Sequence, residues 1–498
     1  MEQALLNDFP SIPLWGSEKA DVSGVRHAVI IAAGNGLRFG ARTINRPKPL
    51  LDVLGVPLIE RTIRNAQMAG IDRFTVITGF QGPMIEELLS TERFSGIEIK
   101  CIRNENWHSP NGHSVLSAKG AVPEHFILLM SDHLFEPGII QRLLSRPLPH
   151  GHCRLAVDYR PESSVDMEDA TKVKTSGGQI IDVGKDLSAY EGVDTGIFLC
   201  SHALFEALEK AVSKGRESLS DGVRELAGQG RMEAMNVSGM FWQDVDNECD
   251  MAHGERRLLQ RLGKERDSWL TRNINRRISL FVTRRIAGTG IKPNQITLFN
   301  LGLGLLGSAS MITGTYEGFL MGAVLFLLSS ILDGCDGEIA RLKFQKTPLG
   351  GWLDVTTDNL THLALFSCMT AGVVRSGLSD VHILLGMLLV SGSLFSFLMT
   401  IFGYRLLNRK KGPLFSETSL KDLPNQRSDE SLSAWLDRVA NRDFAYLILI
   451  LALIGRLHWF LWIAGIGAPL FGFFLYRVFS RRDSALPSEK SRQAVGGI

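Results

Sequence analysis

Two hydrophobic patterns divide the chain. Up to about residue 265, apolar runs of strand length alternate with segments of helical period and with turn residues. After about residue 295, the apolar runs become long enough to cross a bilayer. In the first part, AVIIAAG (28–34) is continuously apolar and ends in glycine, which suits a strand buried on both faces. Pro57 to Gly70 has helical period, and RFTVITGF (73–80) reads as the next strand. HFILLMSD (125–132) is another buried strand, with an aspartate at its end, and RLAVDY (154–159) and GIFLC (196–200) continue the series. Strands alternating with helical segments predict an α/β, Rossmann-like sheet of parallel strands. Residues 1–25 read as a loosely ordered lead-in, and no repeat or low-complexity tract is visible.

In the second part the apolar runs cover roughly 296–316, 318–340, 352–374, 382–404, 443–457 and 459–478. A crossing needs about 20 residues. The second and third runs reach that length only by including acidic residues, and the fifth is short. Arg284, Arg285 and Lys292 precede run one; Arg341, Lys343 and Lys346 lie between runs two and three. Arg405, Arg409, Lys410 and Lys411 follow run four, and Arg481 and Arg482 follow run six, whereas the alternate loops hold only Arg375 and Arg456. Positive residues on every second loop predict an all-α domain of six spans in the cytoplasmic membrane, with both termini and both reactive regions cytoplasmic. Before it, residues 255–293 are strongly basic and punctuated by Trp269, Ile274, Ile278, Phe281 and Val282, the pattern of an amphipathic helix on anionic lipid. The expected domains are therefore 1–25, 26–254, 255–293, 294–480 and a tail, 481–498.

Composition adds exclusions. Among 498 residues, 54 Lys and Arg balance 52 Asp and Glu, a net charge of +2 that gives no reason to expect a nucleic-acid partner. The six cysteines form neither a CxxC pair nor a metal-ligand spacing, which fits buried thiols in a reducing compartment. The first residues, Met1 to Lys19, lack the apolar core of a secretory signal, so the first part is expected to stay cytoplasmic.

The first chemical constellation is AAGNGLRFG (32–40) followed by RPKPLL (46–51). Ala33, Gly34 and Gly36 let backbone amides approach a triphosphate, Arg38 adds a charged fork, and Lys48 is a rigidly presented cation between two prolines. With these motifs, residues 27–250 resemble the sugar-phosphate and alcohol-phosphate nucleotidyltransferases, most closely the cytidylyltransferases acting on inositol 1-phosphate or choline phosphate. The resemblance implies attack of a phosphate monoester on the α-phosphorus of an NTP, with Arg38 and Lys48 as catalytic cations and Mg²⁺ (or Mn²⁺) held by Asp132 and Asp246. Asp244 competes with Asp246 for that role. Asn111, Gly112 and Ser114 match the base-pocket segment, Lys185 an acceptor-phosphate contact, and GVDTG (192–196) the loop around the acceptor alcohol. His133 and His113 read as bystanders.

The second constellation is ILDGCDGEIARLKFQKTPLGGWLDVTTD (331–358). Asp333 and Asp336 are three apart and Asp354 and Asp358 four apart, so each pair shares a helix face. An aspartate at a membrane-helix centre costs about 2.5–3.5 kcal/mol, and clustered carboxylates repel; divalent cations relieve both penalties. The run fits the signature D-x2-D-G-x2-A-R, then G-x3-D-x3-D, of the CDP-alcohol phosphotransferases. That resemblance implies metal binding by Asp333, Asp336, Asp354 and Asp358, and CDP contacts from Gly337, Ala340 and Arg341. It also implies Asp358 as general base, six spans and a homodimer. Arg438 and Arg442, before run five, suit an acceptor phosphate.

The pairing of the two halves resembles a bifunctional family in which CTP and inositol 1-phosphate give CDP-inositol, whose phosphoinositol then passes to a second inositol 1-phosphate. The expected partners are CTP, a CDP-alcohol, a phosphorylated small alcohol and membrane lipid. A phospholipid synthase using CDP-diacylglycerol, or an enzyme using CDP-choline or CDP-glycerol, is the alternative. A transporter is disfavoured, because the acidic cluster lies near one face and no inverted repeat is visible.

Overall fold

A computed structural model describes residues 19–20, 24–161, 166–263, 268–408 and 443–484. The chain divides into two compact units, Met1–Leu258 and Leu259–Ile498.

The first unit is built on a nine-stranded sheet. Its strands are β1 (His27–Ala32), β2 (Arg73–Thr78), β3 (Glu98–Arg103), β4 (His125–Met130), β5 (Cys153–Asp158), β6 (Lys172–Ser176), β7 (Gln179–Gly184), β8 (Gly192–Ser201) and β9 (Met232–Asn236). Their order is β5-β9-β7-β6-β8-β4-β1-β2-β3, with β5 also pairing β8. Strands β3, β2, β1 and β4 run parallel. Strand β8 is antiparallel to β4 and β5, so the all-parallel expectation holds for one half of the sheet only.

Alternate residues of the central strands feed two cores. Ala28, Ile30 and Ala32 of β1 pack with Ile59 and Ile63 of helix Leu58–Met68. Val29 packs on the other face, with Val223 and Leu226 of helix Leu219–Ala227. Period-2 side chains on a sheet covered on both faces require this partition. The parallel half places the carboxyl ends of β1 and β4 side by side, where ligands of open α/β sheets bind.

The second unit is helical: Arg276–Ala287, Pro293–Met311, Tyr316–Leu332, Gly334–Leu342, Pro348–Arg375, Val381–Asn408, Phe444–Leu453 and His458–Ser484. Every predicted apolar run falls on a helix for most of its length, and run two divides at Asp333 into two segments. Met311, Phe326, Leu365, Met369, Ile448 and Leu461 form the internal core. Large apolar side chains such as Phe299, Leu306, Met321 and Phe473 point outwards, as expected of helices solvated by hydrocarbon. Among the described residues, Tyr316–Leu342 and Val381–Met399 are long and apolar enough to cross a membrane, each containing an 18-residue stretch whose mean hydropathy is 1.8 and 2.0 respectively.

Candidate active sites

In the first unit, β1 runs into the glycine loop. Gly36 adopts φ +62°, and a Cβ there would lie 2.7 Å from the Cβ of Lys48, so glycine is required for loop and lysine to pack together. The Thr43 hydroxyl closes the loop by donating to the carbonyls of Gly36 at 3.0 Å and Gly40 at 3.2 Å. Lys48, 7 % exposed, opens a short turn after Pro47. Its Nζ donates to Asp132 Oδ2 at 2.7 Å and to Asp246 Oδ1 at 2.6 Å. Asp132 follows β4, and Asp246 follows a short strand, Trp242–Asp244, that pairs antiparallel with His133–Phe135. That pairing sets Asp244 opposite His133 and brings two distant acidic segments together. Asp250 fixes the approach by accepting from the backbone N–H groups of Asp246 and Asn247 at 3.1 Å.

Asp132, His133 and Asp244 converge, with ligand atoms within 4.8 Å of one another. The structure thus groups Asp132 with the competing Asp244, and Asp246 lies across Lys48 from Asp132. His133 Nδ1 is 2.9 Å from Asp132 Oδ1. Burial alone would lower the His133 pKa, but Asp244 and Asp132 outweigh it and push it up to about 9. Burial likewise opposes the charge on Lys48, and the three surrounding carboxylates hold its pKa well above the ordinary value. Asp132 is held far below the carboxylate range by Lys48 and His133, against its burial. His133, read from sequence as a bystander, belongs to this cluster.

The cavity above these groups has a volume of about 350 Å³. Arg38 reaches it, donating to Asp246 at 2.7 Å and pairing with Asp169. Lys185 also pairs with Asp169, so the two predicted anion-binding cations meet over one carboxylate. Arg38, then Lys185, hold Asp169 down to about 2. Asp169 sits in an acidic stretch without a motif, and no sequence signal singled it out. Asn111 lines the cavity, and its Oδ1 accepts from Leu219 N–H at 2.8 Å. Gly112 and Ser114 lie behind it. A Cβ on Gly112 would stand 2.3 Å from the Glu217 carbonyl, and the Ser114 hydroxyl accepts from Asn104 at 3.0 Å. Ala33 is buried, whereas a Cβ on Gly34 would meet open space. Asp194, in the predicted acceptor loop, lines the same cavity, and burial pushes its carboxyl up to about 6.

In the second unit, Asp333, at the junction of two helices, and Asp354 and Asp358, on helix Pro348–Arg375, bring carboxylate oxygens within 4.8 Å of one another. This all-oxygen donor set suits Mg²⁺ or Mn²⁺. Asp336 is 7 % exposed and accepts a hydrogen bond from the Thr297 hydroxyl. Asn300 Nδ2 lies 3.4 Å from Asp333 Oδ1. Arg341 Nη2 donates to the Leu262 carbonyl at 3.4 Å, and a Cβ on Gly337 would meet only the Arg341 guanidinium, at 3.3 Å. Ala340 is half-buried on the same short helix. A polar cavity of about 20 Å³, lined by Asn300, Ser330, Asp333, Asp358, Thr361 and His362 among others, opens beside the cluster. Arg438 and Arg442 lie outside the described residues.

Comparison with known proteins agrees with this division. Residues 28–230 match the family profile of the MobA-like NTP transferase domain, and residues 291–417 that of CDP-alcohol phosphatidyltransferase. A bifunctional IPC transferase and DIPP synthase from Rubrobacter xylanophilus is 36 % identical over 368 residues, covering 73 % of this chain and 82 % of that one. Its counterpart from Aquifex aeolicus is 33 % identical over 348 residues, covering 69 % and 77 %. Either alignment is longer than either structural unit, so the likeness runs across both. Among solved structures, the inositol-1-phosphate CTP transferase from T. maritima is 23 % identical and covers 47 % of this chain and 93 % of its own, with a TM-score of 0.42. The transferase match and the two long apolar helices make the chain membrane-associated.

Proposed function

The chain belongs to the bifunctional IPC transferase and DIPP synthase family, and from that premise we propose that it makes CDP-inositol from CTP and inositol 1-phosphate and passes the phosphoinositol group to a second inositol 1-phosphate. The observation that carries the proposal is the presence in one chain of a cation-lined acidic cavity and a separate three-carboxylate cluster within the transferase signature. One site makes what the other consumes.

In the first step an oxygen of the inositol phosphate attacks the α-phosphorus of CTP. The new P–O bond forms as the bond to the β-phosphate breaks, and pyrophosphate leaves. Arg38 and Lys48 are the cations placed to hold the triphosphate, and Lys185 to hold the acceptor phosphate. Catalysis here is positioning and charge rather than covalent attack by the protein. Asp132, with Asp246 once Lys48 has turned to the phosphates, is the proposed metal-binding pair. In the second step an acceptor hydroxyl oxygen attacks the inositol-bearing phosphorus of CDP-inositol, and CMP leaves. Asp358 takes the hydroxyl proton, with Asp333 and Asp354 beside it; Gly337, Ala340 and Arg341 face the nucleotide. Bound Mg²⁺ or Mn²⁺ supplies positive charge to the pyrophosphate oxygens in both sites. The alternating basic loops support six crossings with both termini cytoplasmic, and the family resemblance supports a homodimer.

The test is to incubate the purified full chain in detergent with CTP, Mg²⁺ and inositol 1-phosphate, without lipid, and follow phosphorus NMR. CDP-inositol should appear and then convert to a phosphodiester. Absence of CDP-inositol would refute the alcohol assignment. CDP-inositol that only accumulates would refute the soluble acceptor and point to a lipid one.

A further inference from the structure

Helix Arg276–Ala287, with the turn before it, buries a small and polar face and leaves large apolar side chains outside among its arginines. Asn275, Ser279, Thr283 and Ala287, spaced four apart, are 8 %, 2 %, 0 % and 0 % exposed, whereas Ile278 and Phe281 face outwards. A helix on a water-soluble core would bury the isoleucine and phenylalanine. Here the small and polar face is the docking face, and what it docks on is Glu338, fully buried in helix Gly334–Leu342. Glu338 Oε1 accepts from Arg276 Nη1 at 2.6 Å and from Ser279 Oγ at 2.8 Å, and its Oε2 accepts from Thr283 Oγ1 at 2.6 Å. Cys335 Sγ lies 3.6 Å from the Ser279 carbonyl, and the Tyr446 hydroxyl bonds Asn275 on the same face.

A carboxylate without solvent is tolerated only when its charge is paired and its oxygens are hydrogen-bonded. Glu338 meets both conditions with donors from one neighbouring helix. It fills one of the two unspecified positions of D-G-x2-A-R, between Asp336 and Arg341. At about 100° per residue, Asp336 lies roughly 200° around the helix from Glu338. Asp336 accordingly bonds Thr297 on one side while Glu338 is clamped on the other. We infer that Glu338 is a positioning residue of the transferase site: it keys helix Arg276–Ala287 onto helix Gly334–Leu342 and so sets the rotation and depth of Asp336 and Arg341. The inference rests on the transferase reading of the aspartate cluster.

The experiment compares the full-length wild type with Glu338→Gln, Arg276→Met and the double variant, each as monodisperse protein in detergent. CDP-inositol synthesis from CTP and transfer from supplied CDP-inositol are measured in the same preparations. Glu338→Gln should leave synthesis at the wild-type rate and lower the kcat of transfer on the order of tenfold to a hundredfold, while raising the Mg²⁺ concentration for half-maximal transfer. The double variant should recover part of the loss that Arg276→Met shows alone, because no charge is left unpaired. A monodisperse Glu338→Gln protein with wild-type kcat, KM and Mg²⁺ half-saturation would overturn the inference. So would a double variant impaired by the product of the single effects. If the wild type itself transfers nothing, the transferase reading fails, and this inference with it.

Discussion

The two acidic sites handle the same electrostatic problem with different means. In the first unit the cations on the carboxylates are the chain's own: Lys48 lies between Asp132 and Asp246, Arg38 on Asp246 and His133 on Asp132. In the second unit, Thr297 bonds Asp336 and Asn300 approaches Asp333, both neutral donors, while Asp333, Asp354 and Asp358 converge. A site with internal counter-ions can be assembled before its substrate arrives, and the arriving triphosphate competes for those cations. Three converging carboxylates repel one another, and a divalent ion that joins them relieves that repulsion. The first site thus carries Lys48 between its carboxylates, and the second gathers three carboxylates where a divalent ion would join them.

The largest expected effect that tests this contrast is on Asp358. Asp358→Asn should lower transfer by about 10²–10⁴-fold, the usual span for a lost general base. CDP-inositol synthesis in the same polypeptide should be unchanged, as read by phosphorus NMR of both products. Equal loss of both steps would remove the division of labour. Next is Lys48→Met, which should lower CDP-inositol synthesis by about 10²–10³-fold through loss of a preorganised charge. It also leaves Asp132 and Asp246 facing each other without the cation between them. Added Mg²⁺ should therefore raise the thermal stability of the first unit more in this variant than in the wild type. An unchanged Mg²⁺ shift would mean that Lys48 is not the counter-ion of that pair.

How legible these sites were depends on whether a residue's partner is local. The six apolar helices and the central strands β1, β2, β4, β5 and β8 announced themselves by length and continuity of apolar residues. Strand β3 escaped because no residue in it is fully buried. The β6–β7 hairpin is rich in Lys, Thr, Gln and Asp, and β9 has only two buried residues. In the first site Lys48 and Asp132 stand in recognisable contexts, but the pairing that sets Asp244 against His133 joins segments more than a hundred residues apart. Asp169 has no motif, and its partners Arg38 and Lys185 lie elsewhere in the sequence. In the second site the signature names four aspartates but not that Asp336 accepts from Thr297 on another helix. Glu338 is silent in the motif for the same reason: its three donors lie 55 to 62 residues earlier.

Metal removal separates the sites by a smaller margin. An ion present at about 100 times its Kd contributes about 2.7 kcal/mol of stability to what it binds. Hydrogen exchange of peptides spanning 331–342 and 348–360 should accelerate when Mg²⁺ is chelated, and less change is expected in 125–135, where Lys48 and His133 remain on the carboxylates. Faster exchange in 125–135 than in the aspartate helices would reverse the contrast.

The smallest effect belongs to Asp169, and it tests whether the internal ion pairs of the first site are poised against substrate. Asp169 holds Arg38 and Lys185 while both remain about half exposed, and exposed pairs are worth about 1 kcal/mol or less. Asp169→Asn releases Lys185 and leaves Arg38 paired with Asp246 alone, without removing either cation. The KM for CTP or for the phosphorylated acceptor should therefore fall, by no more than about fivefold, with kcat nearly unchanged. The carboxylate's pKa is depressed from its ordinary 3.8 to about 2. Its pairing is therefore complete above 3.8 and is lost only as pH falls towards about 2. The change in KM should accordingly be constant across the neutral range. A rise in KM would show instead that Asp169 orients the two cations for the substrate, and a pH-dependent change near neutrality would assign the effect to another group in the cavity.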